Sequence, residues 1–226
     1  MSPRCMLAAS EAIYDAERSL RRAAETVDEL GEVAASSLRL LDEAASDSLY
    51  AHQEEHRNLY LRSAGEHLER LRNRSAEMND LGAYLTRDLT AASNALEQAG
   101  YELRSNVNED NGDAEIHALG TQLDVLGELV ALARPVADQI TRHAQRAAES
   151  AAATDALMLL DSRVQDTGKE MNRADEGVSV MRSVIKHAQR RAHTSAALAG
   201  SLTYAASRPT PPDVETQKPS QSGIAI

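Results

Sequence analysis

The chain has 226 residues, of which 42% are hydrophobic and 26% charged, with a net charge of −11 and no aromatic residue except six Tyr. Its 11 Gly and 6 Pro exclude collagen-like and Gly/Pro low-complexity classes, and its single Cys excludes a disulfide framework and any Cys-based zinc or iron–sulfur site. No segment is net basic: residues 1–106 carry 12 basic and 19 acidic groups, residues 107–207 carry 10 and 14, and the remainder 2 and 2. The broad counterion-releasing surface that a nucleic-acid binder needs is therefore absent, and no nucleic-acid partner is expected. Ala, Leu, Arg, Glu and Lys together make up about 48% of the chain, a share typical of long helices. Leu, Ile and Val reach only about 19%, which verges on disorder, so periodicity has to decide.

Ser2-Pro3 resembles a cap followed by a first-turn proline, so a helix is expected almost at once. Cys5–Ala9 is an apolar run of five, shorter than the roughly 7–15 residues of a signal peptide, and a cytoplasmic protein is expected. From here a heptad repeat places Met6, Ile13, Leu20, Val27, Ala34 and Leu41 at a. Ala9, Ala16, Ala23, Leu30, Ser37 and Ala44 fall at d. The frame slips by one residue between about 48 and 61. It resumes with Leu61, Leu68, Ser75, Gly82, Leu89, Leu96 and Leu103 at a, and Ala64, Leu71, Met78, Leu85, Ala92 and Ala99 at d.

Residues 106–113 contain Asn111-Gly112 and read as a turn between helices. A calcium loop is excluded there, because Val107 and Ala118 would occupy positions that need acids. The repeat then returns with Ile116, Leu123, Val130, Ala137, Ala144, Ala151 and Met158 at a. Leu119, Leu126, Ala133, Ile140, Ala147 and Thr154 are at d, and Pro135 is expected to kink this helix. After a second slip near 154–157, the a positions are Leu157, Val164, Met171, Val178, Ile185, Ala192 and Ala199. Leu160, Thr167, Ala174, Met181, Ala188, Ser195 and Leu202 fall at d.

Apolar residues also recur at g (Leu40, Leu81, Leu129, Val136, Val184, Leu198), a stripe too wide for a two-stranded zipper. Gly31, Gly65, Gly100, Gly120, Gly127 and Gly168 share position e, which suggests close approach of another backbone. The fold class is all-α: a long antiparallel hairpin, or a four-helix-bundle-like coiled coil if both slips are turns, near 46–60 and 154–168. Asp166-Thr167-Gly168-Lys169 would suit the second turn, and Ser46-Asp47-Ser48 the first less well. The long hairpin is preferred, and it implies a homodimer, since its stripe would otherwise stay wet. Residues 1–207 form one elongated domain, and the Pro-rich residues 208–226 read as a disordered tail.

Little chemistry is visible. His52-Gln-Glu-Glu55-His56 has the His-x-x-Glu-His spacing of inverzincin metalloproteases, but no third ligand can be placed and both His fall on the polar face. None of the seven His follows a Glu by three residues, which excludes the carboxylate-bridged di-iron pattern. Cys5 reads as an ordinary thiol. No catalytic, cofactor or metal site is expected. Tyr50-Ala-His-Gln-Glu54 and Tyr84-Leu-Thr-Arg-Asp88 fit the Tyr-x-x-x-Asp/Glu signal of type VII secretion substrates, which paired hairpins of about 100 residues would resemble. That resemblance implies a signal-less secreted helical bundle. The Trp-x-Gly turn of those substrates is impossible without Trp, so no family follows.

The expected function is non-enzymatic: a structural, adaptor or assembly component with a protein partner, working through its apolar faces. The interface candidates are Leu61, Leu68, Leu71, Met78, Leu85, Leu89 and Leu96, with Leu119, Leu123 and Leu126. The alternative is a membrane-peripheral protein without a transmembrane segment. Residues 177–212 contain no acid, and Arg182, Lys186, Arg190 and Arg191 line a helix that could lie on anionic lipid.

Overall fold

In a computed structural model, residues 3–105, 114–151 and 157–207 are described. They form α1 (Pro3–Ala51), α2 (Arg57–Arg104), α3 (Ala114–Ser150) and α4 (Leu157–Ala206), with one turn of 3₁₀ helix at Glu54–His56. Helix accounts for 97% of the described residues, and no strand occurs among them. Each helix packs on two neighbours: α1 on α2 and α4, α3 on α2 and α4. Cross-helix pairs run in opposite order along each seam, Arg22–Asp88 and Glu43–His67 on α1–α2, Glu17–His193 and Asp28–Arg182 on α1–α4, Gln122–Ser195 and His143–Glu170 on α3–α4, so these seams are antiparallel. The result is an up-down-up-down four-helix bundle about 75 Å long at 1.5 Å per residue.

This corrects the long hairpin. Both frame slips mark chain reversals, and a single chain supplies all four helices. The first reversal uses neither Gly nor Pro: Gln53 turns to extended backbone (φ −85°, ψ 127°) between the last carbonyls of α1 and the 3₁₀ turn. Ser46–Ser48 stay inside α1. Asp166–Lys169 lie within α4, where Thr167 is fully buried, so the second proposed turn is also corrected. The connection at 106–113, the second reversal at 152–156 and the tail at 208–226 lie outside the described residues.

The heptad frames are the ones that folding buries. Every a and d residue whose side chain is described, a set without Leu157 and Met158, is buried except Leu41, Leu61 and Ile116, which are half-buried against the core. All six apolar g residues are half-buried and packed on it too. Without Phe or Trp, the interior is a thin filling of Leu and Ala, which lets four helices pack closely. Pro135 stays helical within α3; it and Ala131, whose carbonyl it cannot bond, are exposed residues on the solvent side of the helix.

None of the e glycines meets another backbone, and among them only Gly168, where a Cβ would sit 3.0 Å from Leu41 Cδ2, is tight against the side chain of another helix other than a flexible Arg. A Cβ on Gly65, Gly120 or Gly127 would meet nothing within 4 Å, and one on Gly31 would meet only the flexible Arg182 guanidinium. Tighter still are Gly82, against the Thr141 hydroxyl, and Gly177, where a Cβ would sit 2.8 Å from Ile140 Cγ1. Together these two glycines let α3 settle between α2 and α4.

The core has a break. One cluster runs from Met6 and Leu103 to Ala34, Met78, Ala147 and Met171; we call it the body. A second one, smaller among the described residues, holds Ala44, Ala64, Leu68, Leu71, Ala151, Leu160 and Val164; this is the tip. Between them each of α1, α2 and α4 carries a buried hydroxyl residue: Ser37, Ser75 and Thr167. Among the described residues, the shorter α3, 37 residues against 48 to 50, gives the tip core only Ala151, which immediately follows its last turn.

Candidate functional site

The sequence-derived interface residues lie inside the chain's own core. Leu68 and Leu71 belong to the tip, with Leu61 half-buried beside them. Met78, Leu85, Leu89, Leu96, Leu119, Leu123 and Leu126 belong to the body. They are used in folding, and the wet stripe from which dimerisation was expected is covered within one chain.

Exposed large apolar side chains lie at both ends of the bundle: Leu7, Tyr14, Tyr101 and Tyr204 at the end where α1 begins, and a second set, richer in Leu, at the tip. Leu49 is 70% exposed, Leu59 64%, Leu159 50% and Tyr50 44%. All four lie beside the reversals, where α1 ends and α2 and α4 begin. The Tyr50 and Tyr60 rings pack across the first reversal with centroids 5.3 Å apart, giving this end an aromatic edge. Sequence reasoning passed over these residues because they are off-register: they fall outside a, d and g, near the slips. An apolar residue out of frame next to a slip was the signal available.

The basic candidates are only partly free. Arg182 Nε donates to Asp28 on α1 at 3.1 Å, and Arg191 Nε donates to His187 at 3.3 Å. Lys186 and Arg190 extend into solvent. Arg182 and Lys186 line a cleft of about 270 Å³ with Ala24, Val27, Asp28 and Ile185. The apolar face of the same helix, Ile185, Ala188, Ala192 and Ala196, is core. Lying on lipid by that face would require α4 to leave the bundle, so a folded bundle could meet a membrane there only through charge. α3 contains an 18-residue window with mean hydropathy 1.2, long and apolar enough to cross a membrane by composition; 28% of that window is buried in the bundle.

Histidines meet carboxylates across the helix seams. His67 on α2 lies between Glu43 (3.2 Å) and Asp47 (3.4 Å) of α1. His143 Nδ1 on α3 lies 2.7 Å from Glu170 of α4, and His193 on α4 3.1 Å from Glu17 of α1. His52, exposed as its polar-face position implies, lies 2.8 Å from Asp161 Oδ2, whose other oxygen accepts from the Ser48 hydroxyl. The Ser48 hydrogen bond lowers the Asp161 carboxyl below its ordinary range, opposed by desolvation and reinforced by His52. Glu170 is lowered mainly by the His143 hydrogen bond, again against desolvation, with His143, Arg173 and Arg146 adding favourable charge. These are ties between helices. In the Ser48–Asp161–His52 group the acid stands between hydroxyl and imidazole, so the imidazole cannot take the serine proton as a hydrolase base does. No three His, Cys, Asp or Glu converge on a metal position among the described residues.

Asp88, part of one Tyr-x-x-x-Asp match, is buried and paired with Arg22 across the α1–α2 seam at 3.5 Å, while Tyr84 is exposed under the Arg87 guanidinium. The acid of that match is thus engaged inside the fold. No protein-family model, curated protein or solved structure matches the chain.

Proposed function

We propose that the protein is a non-enzymatic interaction module whose tip docks an apolar surface on a protein partner. The observation that carries this is that three of the five exposed leucines among the described residues, Leu49, Leu59 and Leu159, lie with Tyr50 at the tip, whereas the opposite end exposes one, Leu7, with Tyr14, Tyr101 and Tyr204. Leaving Leu this exposed gains nothing for folding, and burying one against a partner is worth about 1.5–3 kcal/mol. The Tyr50–Tyr60 pair adds rigid aromatic area of the kind enriched where binding energy concentrates. This replaces a scaffold acting through its a, d and g faces.

The test is affinity capture from native lysate with the wild-type chain, the Leu49→Ser/Leu59→Ser variant and, as control, Leu132→Ser on the exposed side of α3. A partner retained by the control and lost by the tip variant, at unchanged helicity and melting temperature, is the expected result. The same proteins captured by all three would sink the reading. Anionic liposomes run in parallel test the membrane-peripheral alternative, in which Lys186→Glu/Arg190→Glu, and not the tip variant, would abolish sedimentation.

A further inference from the structure

We propose that the plane of Ser37, Ser75 and Thr167 divides the bundle into two cooperative units, so that the tip opens while the body stays folded. Three observations converge on it. First, the run of buried apolar residues is interrupted on all three long helices: between Ala34 and Ala44 on α1, where only the half-buried Leu38, Leu40 and Leu41 pack on the clusters, Leu71 and Met78 on α2, and Val164 and Met171 on α4. Leu41, the a residue that would bridge the gap on α1, is instead half-buried, with a methyl 3.0 Å from where a Cβ on Gly168 would stand.

Second, the plane is under-bonded. The Ser37 hydroxyl donates to the Val33 carbonyl at 2.8 Å, but Ser75 Oγ and Thr167 Oγ1 are fully buried and hydrogen-bond to nothing in the protein. A buried hydroxyl without a partner forfeits its hydration, and water reaching the plane on opening returns it. The closed state therefore gives up at this level what a continuous Leu layer would have gained.

Third, the tip has little to hold it shut. Among the described residues its buried core consists of small residues and four larger ones, Leu68, Leu71, Leu160 and Val164, with Leu40, Leu41 and Leu61 half-buried against it, and α3 supplies Ala151. Its polar ties, His67 to Glu43 and Asp47 and Asp161 to Ser48 and His52, each include a side chain half exposed or more, except the His67–Asp47 contact. Solvent-screened pairs of that kind contribute little. Regions with few buried apolar contacts open with less free energy than the whole molecule.

Hydrogen exchange read by mass spectrometry on the full chain tests this. Amides in 40–51, 57–71 and 160–164 should exchange at least about tenfold faster than those in 20–34, 78–92 and 171–185. They should also exchange faster than the opposite end, 6–16, 96–103 and 192–202, which is equally terminal but has a continuous core. Equal exchange at the two ends would mean simple fraying and would overturn the proposal. In Ser75→Ala/Thr167→Val, which removes both hydroxyls at nearly constant volume, tip protection should rise severalfold toward the body's. If the double variant leaves the difference unchanged, the plane is not its cause and the proposal fails. Should that variant not fold, the wild-type comparison of the two ends still decides.

Discussion

Glu170 on α4 and His143 on α3 share a hydrogen bond of 2.7 Å in a seam where Glu170 is only 15% exposed. Arg173 of its own helix and Arg146 of α3 face the same carboxylate at 2.9 and 4.0 Å. Because these groups hold the Glu170 carboxyl below 4.5, its native state binds a proton less readily than the unfolded chain does. The stability it contributes is therefore complete above 4.5 and is lost as pH falls through its native value. Acid titration of the unfolding midpoint should show Glu170→Gln less stable than wild type at neutral pH, with the two curves converging under acid. Parallel curves would contradict the linkage. Asp161 obeys the same sign, but with more than half of its side chain in water the effect of Asp161→Asn should be smaller.

Leu68 and Leu71, both fully buried, hold the tip core together. Each change to Ala should cost roughly 2–5 kcal/mol of local stability, since little else there can collapse into the space. Urea unfolding followed by circular dichroism should show the pair's loss as an early helical transition ahead of the main one. Leu85→Ala, in the body, should instead shift the main transition by a similar amount.

Light scattering should report a particle of about 24.4 kDa, with a melting temperature independent of concentration, because the stripe that argued for a dimer is buried within one chain. A mass near double that, with a melt that rises on concentration, would restore the homodimer and place the tip in its interface.

Gly120 and Gly127 sit on α3 with open space where a Cβ would go. Gly120→Ala and Gly127→Ala should each stabilise by up to about 1 kcal/mol, the helix-propensity difference. Gly82→Ala should not, because its Cβ would strike the Thr141 hydroxyl and then Cβ at 3.4 Å. A thermal-melt series of the three variants checks the ordering.

The heptads exposed the fold to reading because a helix core repeats locally: Ile13, Leu20 and Val27 announce one face of α1 with no knowledge of what covers it. What covers it depends on register between distant segments, and no local pattern encodes that. The slips were visible, but a slip can be a stutter in a continuous helix or a reversal, and the Gln53 turn, with neither Gly nor Pro, gave no local clue. The seam pairs were out of reach for the same reason: Glu17 and His193 meet across 176 residues. The candidate site was hidden differently. Leu49 and Leu59 look ordinary until the frame on each side is trusted enough to mark them as misplaced.

The composition of the core also shapes what spectroscopy can see. Five of the six tyrosines (Tyr14, Tyr50, Tyr84, Tyr101 and Tyr204) are exposed, and none lies in the packed interior. A largely solvated ring has weakly asymmetric surroundings, so the fully native protein should give strong far-ultraviolet and weak near-ultraviolet dichroism, the latter mainly from the Tyr50–Tyr60 pair. That pairing is ordinarily taken as the mark of a molten globule. Here it would describe a well-packed state, and order in the interior has to be followed through the Leu, Val, Ile and Ala methyl resonances instead.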